Sequence, residues 1–351
     1  MSFANRAFAK VFSDKLEIPV IQGGMGVGIS MGKLAGSVAA CGGMGVISTA
    51  LIGFREEDFY QNHVEADVRA LRKEIQIAKE IANGRGMIAI NAMTVTTDYR
   101  ECIEAAVREG IDAIISGAGL PLALPELVDG KDVLIAPIVS SAKAAALIMR
   151  SWNKKCERKP DFIVVEGSGA GGHLGFKKEE LINRSYQPLT EIVSDVVKVC
   201  GDIPVFAAGG IFDADDIKEV LKCGAYGVQM GTRFIACEEC DASQGFKEKI
   251  VKAKAEDLKI IQSPVGLPGR ALKSALHEQV EKEGRKAPSR CINCISTCDP
   301  KTTPYCISAA LISGFNGDEE NGLFFSGENC GRIDKIVKVR DLMDELSKGF
   351  E

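Results

Sequence analysis

The residues best suited to chemistry lie in the stretch EGSGAGGHLG, from Glu166 to Gly175, which follows directly on the apolar run FIVV. Five of its ten residues are glycines, and it holds His173, one of three histidines in the chain. Glycines at a strand end let backbone N–H groups approach an anion or a flat ring, and an imidazole there can hold or remove a proton. The stretch therefore predicts a ligand-binding loop in which His173 is the side chain suited to acid–base chemistry. The structural alternative is a tight turn whose histidine only bonds the backbone.

The same loop matches the dinucleotide motif G-x-G-x-x-G at Gly167, Gly169 and Gly172. That motif requires a helix to begin inside the loop. The next good helical pattern begins only near Leu189, after Pro188. A dinucleotide site of this kind is therefore not favoured.

Two further turns have the composition of a phosphate site. In AAGGIFDADDI, a strand-like run passes through a Gly-Gly turn to a helix with Asp213 as its N-cap candidate, and VQMGTRF repeats the arrangement. Paired turns of this kind after strands seven and eight of a barrel, each leading to a helix N-terminus, are typical of phosphate binding. The glycine turns predicted in this way to bind phosphate are Gly209-Gly210 and Gly231-Thr232.

Short apolar runs that alternate with helical patterns must position these turns. The predicted strands are Ile18–Gln22, Gly45–Ser48, Met87–Asn91, Ala113–Ser116, Val133–Ile138, Phe162–Glu166, Ile203–Ala208 and Tyr226–Met230. None alternates apolar with polar residues, which is typical of strands buried on both faces. The α/β pattern predicts a (β/α)8 TIM barrel, with a doubly wound sheet as the alternative.

The chain is expected to divide into three parts. Residues 1–236 form the predicted barrel. Residues 237–325 break the alternation with prolines and cysteines, and are interpreted as an insertion or lid. Residues 326–351 contain an amphipathic pattern and are predicted to form a C-terminal helix that packs back on the barrel.

Composition excludes several classes of protein. The net charge of −5 over 351 residues, with no basic stripe, argues against a nucleic-acid partner. No apolar run approaches the roughly 20 residues that span a bilayer, and no signal core is evident, so we expect a cytoplasmic protein with no membrane partner. His63 and His277 fall in helical patterns and are expected at the surface. A homodimer is left open.

Four cysteines form a separate group in the insertion. Cys291, Cys294, Cys298 and Cys306 lie within sixteen residues. In a cytoplasmic protein such thiols can bind zinc or an iron–sulfur cluster. The spacing matches neither a zinc ribbon nor a ferredoxin run, so free thiols in an irregular loop are the alternative.

The phosphate-binding turns and the glycine-rich loop suggest a planar ligand with a phosphate tail over the barrel mouth, such as flavin mononucleotide (FMN). Composition does not distinguish FMN from a sugar phosphate or pyridoxal phosphate. A pyridoxal enzyme needs a lysine at a strand end, whereas Lys143 falls in a helical pattern. The segments IPVIQGGMGVGIS, EGSGAGGHLG, IPVFAAGGI and GVQMGTRF, in this order, resemble the nitronate monooxygenase (2-nitropropane dioxygenase-like) family. Flavin-dependent enoyl-acyl-carrier-protein reductases share its fold and motifs. The resemblance covers about residues 15–275.

This resemblance implies an FMN-binding barrel whose residues can be assigned by motif position. Catalysis would rest on His173. The FMN contacts that it implies are Gly24, Met25, Gly26, Asn91, Glu166, Gly171 and Gly172. The residues that it implies for the phosphate are Gly209, Gly210, Gln229, Met230, Gly231 and Thr232. The chain departs from the pattern at Gly169, often glutamate in the family, and at Glu166, often glutamine in the monooxygenases.

The implied activity is oxidation of alkyl nitronates with O2. The alternative is reduction of enoyl thioesters with NAD(P)H, and either substrate is a small molecule. A flavin-binding protein without catalysis is a third hypothesis, against which the histidine argues.

Overall fold

The strands of the chain close into a barrel. The computed structural model describes residues 11, 12 and 14–351. Within this part, eight parallel strands close in the order β1-β2-β3-β4-β5-β6-β8-β9. Their bounds are β1 Val20–Gln22, β2 Met44–Ser48, β3 Met87–Met93, β4 Ala113–Gly117, β5 Leu134–Val139, β6 Ile163–Glu166, β8 Val205–Ala208 and β9 Gly227–Met230. Each predicted strand overlaps one of these, and the TIM-barrel prediction is confirmed.

Helices follow the strands and cover the barrel. Up to the last barrel strand they are α1 Gly32–Ala40, α2 His63–Ala82, α3 Tyr99–Arg108, α4 Leu124–Leu127, α5 Ala142–Cys156, α6 Lys178–Asn183, α7 Leu189–Cys200 and α8 Ala214–Lys222. After it come α9 Thr232–Ile235, α10 Gln244–Lys252, α11 Ala275–Glu283, α12 Ile307–Phe315 and α13 Val339–Ser347. In the described part of the chain, no helix has the length and apolarity to cross a membrane.

Aromatic side chains fill the N-terminal end of the barrel. The ring of Phe12 lies 5.6 Å from that of Phe162, 5.8 Å from Phe206 and 5.4 Å from Tyr226, measured between centroids. Large rings pack efficiently and exclude water from this end. Any ligand must therefore enter from the opposite end, where the strands lead into the glycine-rich turns.

The segment after β9 builds a second, smaller sheet over that open end. Strands β10 (Leu258–Gln262) and β11 (Pro268–Leu272) form an antiparallel hairpin, and β11 also pairs with β7 (Gly172–His173). The last helix, α13, packs against α1 and α8 through a buried apolar face. The division of the chain into barrel, insertion and terminal helix stays a prediction.

Candidate active site

A cavity of about 480 Å³ lies at the C-terminal ends of the barrel strands, a volume in the range of small-molecule and cofactor sites. Every predicted catalytic and cofactor-binding residue lines it: Gly24, Met25, Gly26, Asn91, Glu166, Gly171, Gly172, His173, Gly209, Gly210, Gln229, Met230, Gly231 and Thr232. They come together because parallel strands of a closed barrel all end at one rim. Their roles stay predictions.

The Gly-Gly turn after β8 has a backbone that favours glycine. Gly209 and Gly210 have φ angles of +86° and +87°, a region that side chains strain. The turn leads to α8, whose N-cap Asp213 accepts bonds from the N–H groups of Asp215 and Asp216, both at 3.1 Å. Gly231 and Thr232 line the cavity beside it. Such a concave backbone surface fits a phosphate group.

A strap of residues 326–329 crosses this turn, and no sequence pattern indicates it. The Gly327 N–H donates to Thr232 Oγ1 at 2.9 Å, and Asn329 Nδ2 donates to the carbonyl of Gly210 at 2.6 Å. Glu328 is exposed, and its Oε1 lies 2.6 Å from the position that a Cβ on Gly210 would occupy. A carboxylate therefore borders the candidate phosphate position.

The glycines of the other loops permit close backbone packing. A Cβ on Gly171 would lie 2.5 Å from the carbonyl carbon of Ser326, and one on Gly26 would lie 2.7 Å from the Cβ of Ala50. A Cβ on Gly24 would clash with Asn91. Side chains at these positions would collide with neighbouring protein atoms, so the glycines allow the loops to pack closely around the cavity. The volume of the cavity and the Gly-Gly turn at its rim are compatible with FMN, the flat ring with a phosphate tail that the resemblance implies.

Arg270 of β11 holds the loop EGSGAGGHLG in place. Its buried guanidinium donates through Nη1 to the carbonyls of Ser168 and Ala170, the second at 2.8 Å. Hydrogen bonds from a charged donor are about twice as strong as neutral ones. Strand β11 therefore fixes the shape of the loop. The sequence does not indicate this contact, because Arg270 is about a hundred residues away.

The position of His173 is also set by the insertion. Its strand β7 pairs with β11 in the register Gly269↔His173. Its Nε2 lies 2.8 Å from the hydroxyl oxygen of the buried Ser263, and its ring meets Phe325 edge-on at 5.1 Å. Burial lowers the pKa of His173 to about 4. The imidazole is therefore neutral at pH 7 and can accept a proton.

Glu166 ends β6 and lines the same cavity. Burial raises the pKa of its carboxyl to about 8, with no cation among the described residues offsetting it. A carboxyl group of this kind is mostly protonated at pH 7. The site thus combines a neutral base at His173 with a neutral hydrogen-bond donor at Glu166.

The structure does not support the predicted metal site. Of the described residues, no three His, Cys, Asp or Glu side chains are grouped to hold a metal ion. The thiols make other contacts: Cys294 Sγ lies 2.9 Å from Ser308 Oγ, and Cys291 Sγ lies 3.6 Å from Asn293 Oδ1. The prediction of zinc or an iron–sulfur cluster at Cys291, Cys294, Cys298 and Cys306 is corrected accordingly, because these thiols do not form a group that could hold a metal ion.

The other histidines are not part of the cavity described above. His277 was expected at the surface, and this is wrong. Its side chain is buried in the insertion, where Nδ1 lies 3.1 Å from Ser274 Oγ. Burial lowers its pKa to about 4. His63 is half-buried at the start of α2, with Nε2 3.3 Å from Thr97 Oγ1.

Comparisons with known proteins extend over the whole chain. The family model described as nitronate monooxygenase matches residues 9–349. A probable nitronate monooxygenase of Bacillus subtilis is 28% identical, over 97% of each chain. A (3aS,4S,5R,7aS)-5-hydroxy-7a-methyl-1-oxo-octahydro-1H-indene-4-carboxyl-CoA dehydrogenase of Rhodococcus jostii is 24% identical, over 93% of this chain and 91% of its own. The structure of FabK from Thermotoga maritima superposes with a TM-score of 0.76 at 25% identity, over 97% of this chain and 94% of its own.

Proposed function

The chain belongs to the nitronate monooxygenase family, and from this we propose that it oxidises alkyl nitronates with O2 by means of FMN. Membership makes the chain an oxidoreductase. The finer assignment rests on one observation, the neutral imidazole of His173 at the wall of a cavity that fits a flat ring with a phosphate tail.

The residues proposed to hold FMN divide between its two ends. Gly209, Gly210, Gly231 and Thr232 would bind the phosphate through backbone N–H groups and a hydroxyl. The loops at Gly24–Gly26 and Gly171–Gly172, with Asn91, would enclose the ring. When bound, FMN accepts two electrons from a substrate and passes them to O2.

His173 handles the proton of the substrate. A nitroalkane loses the proton on the carbon beside its nitro group to become a nitronate, and the neutral imidazole can take that proton. Ser263, at 2.8 Å, orients the ring. The neutral carboxyl of Glu166 can donate a hydrogen bond to a negatively charged oxygen within the cavity. The buried surroundings strengthen both interactions because water is largely excluded.

Anaerobic mixing tests the proposal. The purified protein, whose supernatant after heat denaturation should contain one FMN per chain, is mixed without oxygen with a nitronate, with NADH or with NADPH. We expect the nitronate alone to bleach the visible absorbance of the flavin, and admitted air to restore it. Failure of all three reagents to bleach the flavin would leave a binding protein without this activity and would refute the proposal.

Reduction of enoyl thioesters with NAD(P)H is the second candidate. Glu166 favours it, because a carboxyl replaces the glutamine that is frequent in the monooxygenases, and a neutral carboxyl can donate to a thioester carbonyl. The relative from Rhodococcus jostii is named as a dehydrogenase of a carboxyl-CoA compound, which is a thioester. Rapid bleaching by NADH or NADPH, with none by a nitronate, would favour this activity over the first.

A further inference from the structure

A second, smaller cavity lies directly behind His173. Its volume is about 30 Å³. The side chains that line both cavities are Val27, Ala50, Met93, His173 and Leu311. These five side chains form a wall that the two cavities share. A group attached to the reacting atom of a substrate would enter the small cavity by displacing side chains of this shared wall.

The polar side chains around this cavity already have hydrogen-bond partners in the protein. These pairs are His63 with Thr97, Thr96 with the carbonyl of Met93, Asp98 with the thiol of Cys102, His173 with Ser263, and Cys294 with Ser308. The remaining wall is aliphatic or thioether side chain. A water molecule needs two to four polar partners to be stable in a cavity. The space therefore favours an apolar group.

The cysteine-containing segment of the insertion forms the outer wall. Ile295 and Ile307 line the small cavity alone, and Leu311 lines both. The segment is held against the barrel loop after β3, since Thr97 N–H donates to the carbonyl of Cys294 at 3.1 Å. An isolated antiparallel bridge also joins Thr96 to Ile295. These contacts give a fixed wall whose position limits the depth of the cavity.

We propose that the small cavity binds the unbranched alkyl chain of the substrate, and that Ile295, Ile307 and Leu311 set its maximum length. A water-sized group needs about 10–15 Å³ of such volume, so the cavity takes about two or three carbons. This inference deepens the proposed function and rests on it for the reacting group, a nitronate or an enoyl thioester. Both substrates carry the same kind of chain.

Chain length is the variable that tests the inference. We compare kcat/KM for the nitronates of nitroethane through nitrohexane, and for enoyl thioesters of the same series. In the wild type, each added carbon should raise kcat/KM about fourfold until the cavity is full, and longer chains should lose activity. The series that is turned over shows whether the alkyl chain belongs to a nitronate or to an enoyl thioester.

The variant Ile307→Ala removes three side-chain carbons from the wall of the cavity and should move the optimum to longer chains by one to three carbons. Ile312→Ala is the matched control, because Ile312 lies in the same helix α12 but lines neither cavity. Ile307→Val, which removes one carbon and disturbs folding less, should move the optimum by at most one carbon. An unchanged optimum in both Ile307 variants would overturn the inference.

A binding measurement separates this inference from the proposed function. Straight-chain alkanoates from acetate to hexanoate are planar anions like nitronates but do not react. Their stabilisation of the protein against heat should depend on chain length and should shift in Ile307→Ala but not in Ile312→Ala. With this shift present and no turnover of any substrate, the chemistry is refuted but the alkyl site stands. Equal stabilisation by all alkanoates in all variants overturns the alkyl site, whatever the turnover.

Discussion

Because burial lowers the pKa of His173, we expect this residue to act as a base that stays neutral even at acidic pH. Replacing His173 by asparagine removes the proton acceptor and keeps a polar side chain of similar size. We expect FMN binding to survive and turnover of a neutral nitroalkane to fall by about 10²–10⁴-fold, the usual contribution of a positioned acid–base group. With a preformed nitronate the loss should be smaller, since its proton has already gone.

The magnitude of the pH effect follows from the burial of the ring. An imidazole with the ordinary pKa of 6.5 would be only about 3% neutral at pH 5. Since burial lowers the pKa of His173 to about 4, about 90% of the rings are neutral at pH 5. A bound flavin removes more water and moves the pKa further in the same direction. The rate of proton abstraction should therefore change little between pH 7 and pH 5.

The assay is anaerobic flavin reduction by a nitroalkane supplied in its neutral form, followed from pH 7 to pH 4.5. The rate with preformed nitronate, measured at each pH, serves as the control for effects that do not involve proton abstraction. An acidic limb near pH 6.5, seen only with the neutral substrate, would refute the buried, neutral state of His173. Full activity of His173→Asn on both nitroalkanes and enoyl thioesters would show that the ring only shapes the loop.

Three further predictions concern the walls of the main cavity. Because burial raises the pKa of Glu166 to about 8, the folded apoprotein keeps a proton that the unfolded chain releases, and its stability falls as pH rises from 4.5 through 8. Glu166→Gln should reduce this fall, measured by denaturant unfolding between pH 6.5 and 8; an identical slope in the variant would contradict the raised pKa. Glu328→Gln removes the carboxylate beside the candidate phosphate position and should tighten FMN binding about three- to tenfold at low salt, as measured by fluorescence titration; weaker binding would argue against this placement of the phosphate. Gly210→Ala should weaken FMN binding at least tenfold, whereas Gly130→Ala, at a φ of +66° in open space, should affect stability alone; equal FMN affinity in the two variants would count against the turn.

The barrel and the gathering of the site residues were predictable for a simple physical reason. The runs that end at Glu166 and Met230 do not alternate between apolar and polar residues. This pattern is typical of strands that are covered on both faces. Once eight such runs alternate with helices, closure brings all their C-terminal ends to one rim. Glycine turns at those ends must then face one another, whatever ligand they bind.

The supports of the site were not predictable, because they depend on contacts between distant segments. Ser263 lies 90 residues along the chain from His173, and Arg270 lies 102 and 100 residues from the two carbonyls that it binds. No periodicity marks either residue. The strap at residues 326–329 likewise contacts three turns that follow different strands. The cysteines show the opposite error: spacing along the chain is visible, but the direction of each side chain is not.

The two-residue strand β7 makes the position of His173 depend on the hairpin β10–β11. A strand of two residues has too few hydrogen bonds to be stable alone. It is extended because β11 pairs with it at Gly172 and His173 and because Arg270, also in β11, binds the preceding carbonyls. The hairpin also supplies Ser263, just beyond β10, as the partner of the imidazole. The barrel strands end at the main cavity, the hairpin β10–β11 places the proposed base His173, and residues 294–311 line the small cavity beside it. Changes in the segment after β9 should therefore alter proton transfer and chain-length preference together, while the strand ends that line the main cavity stay in place.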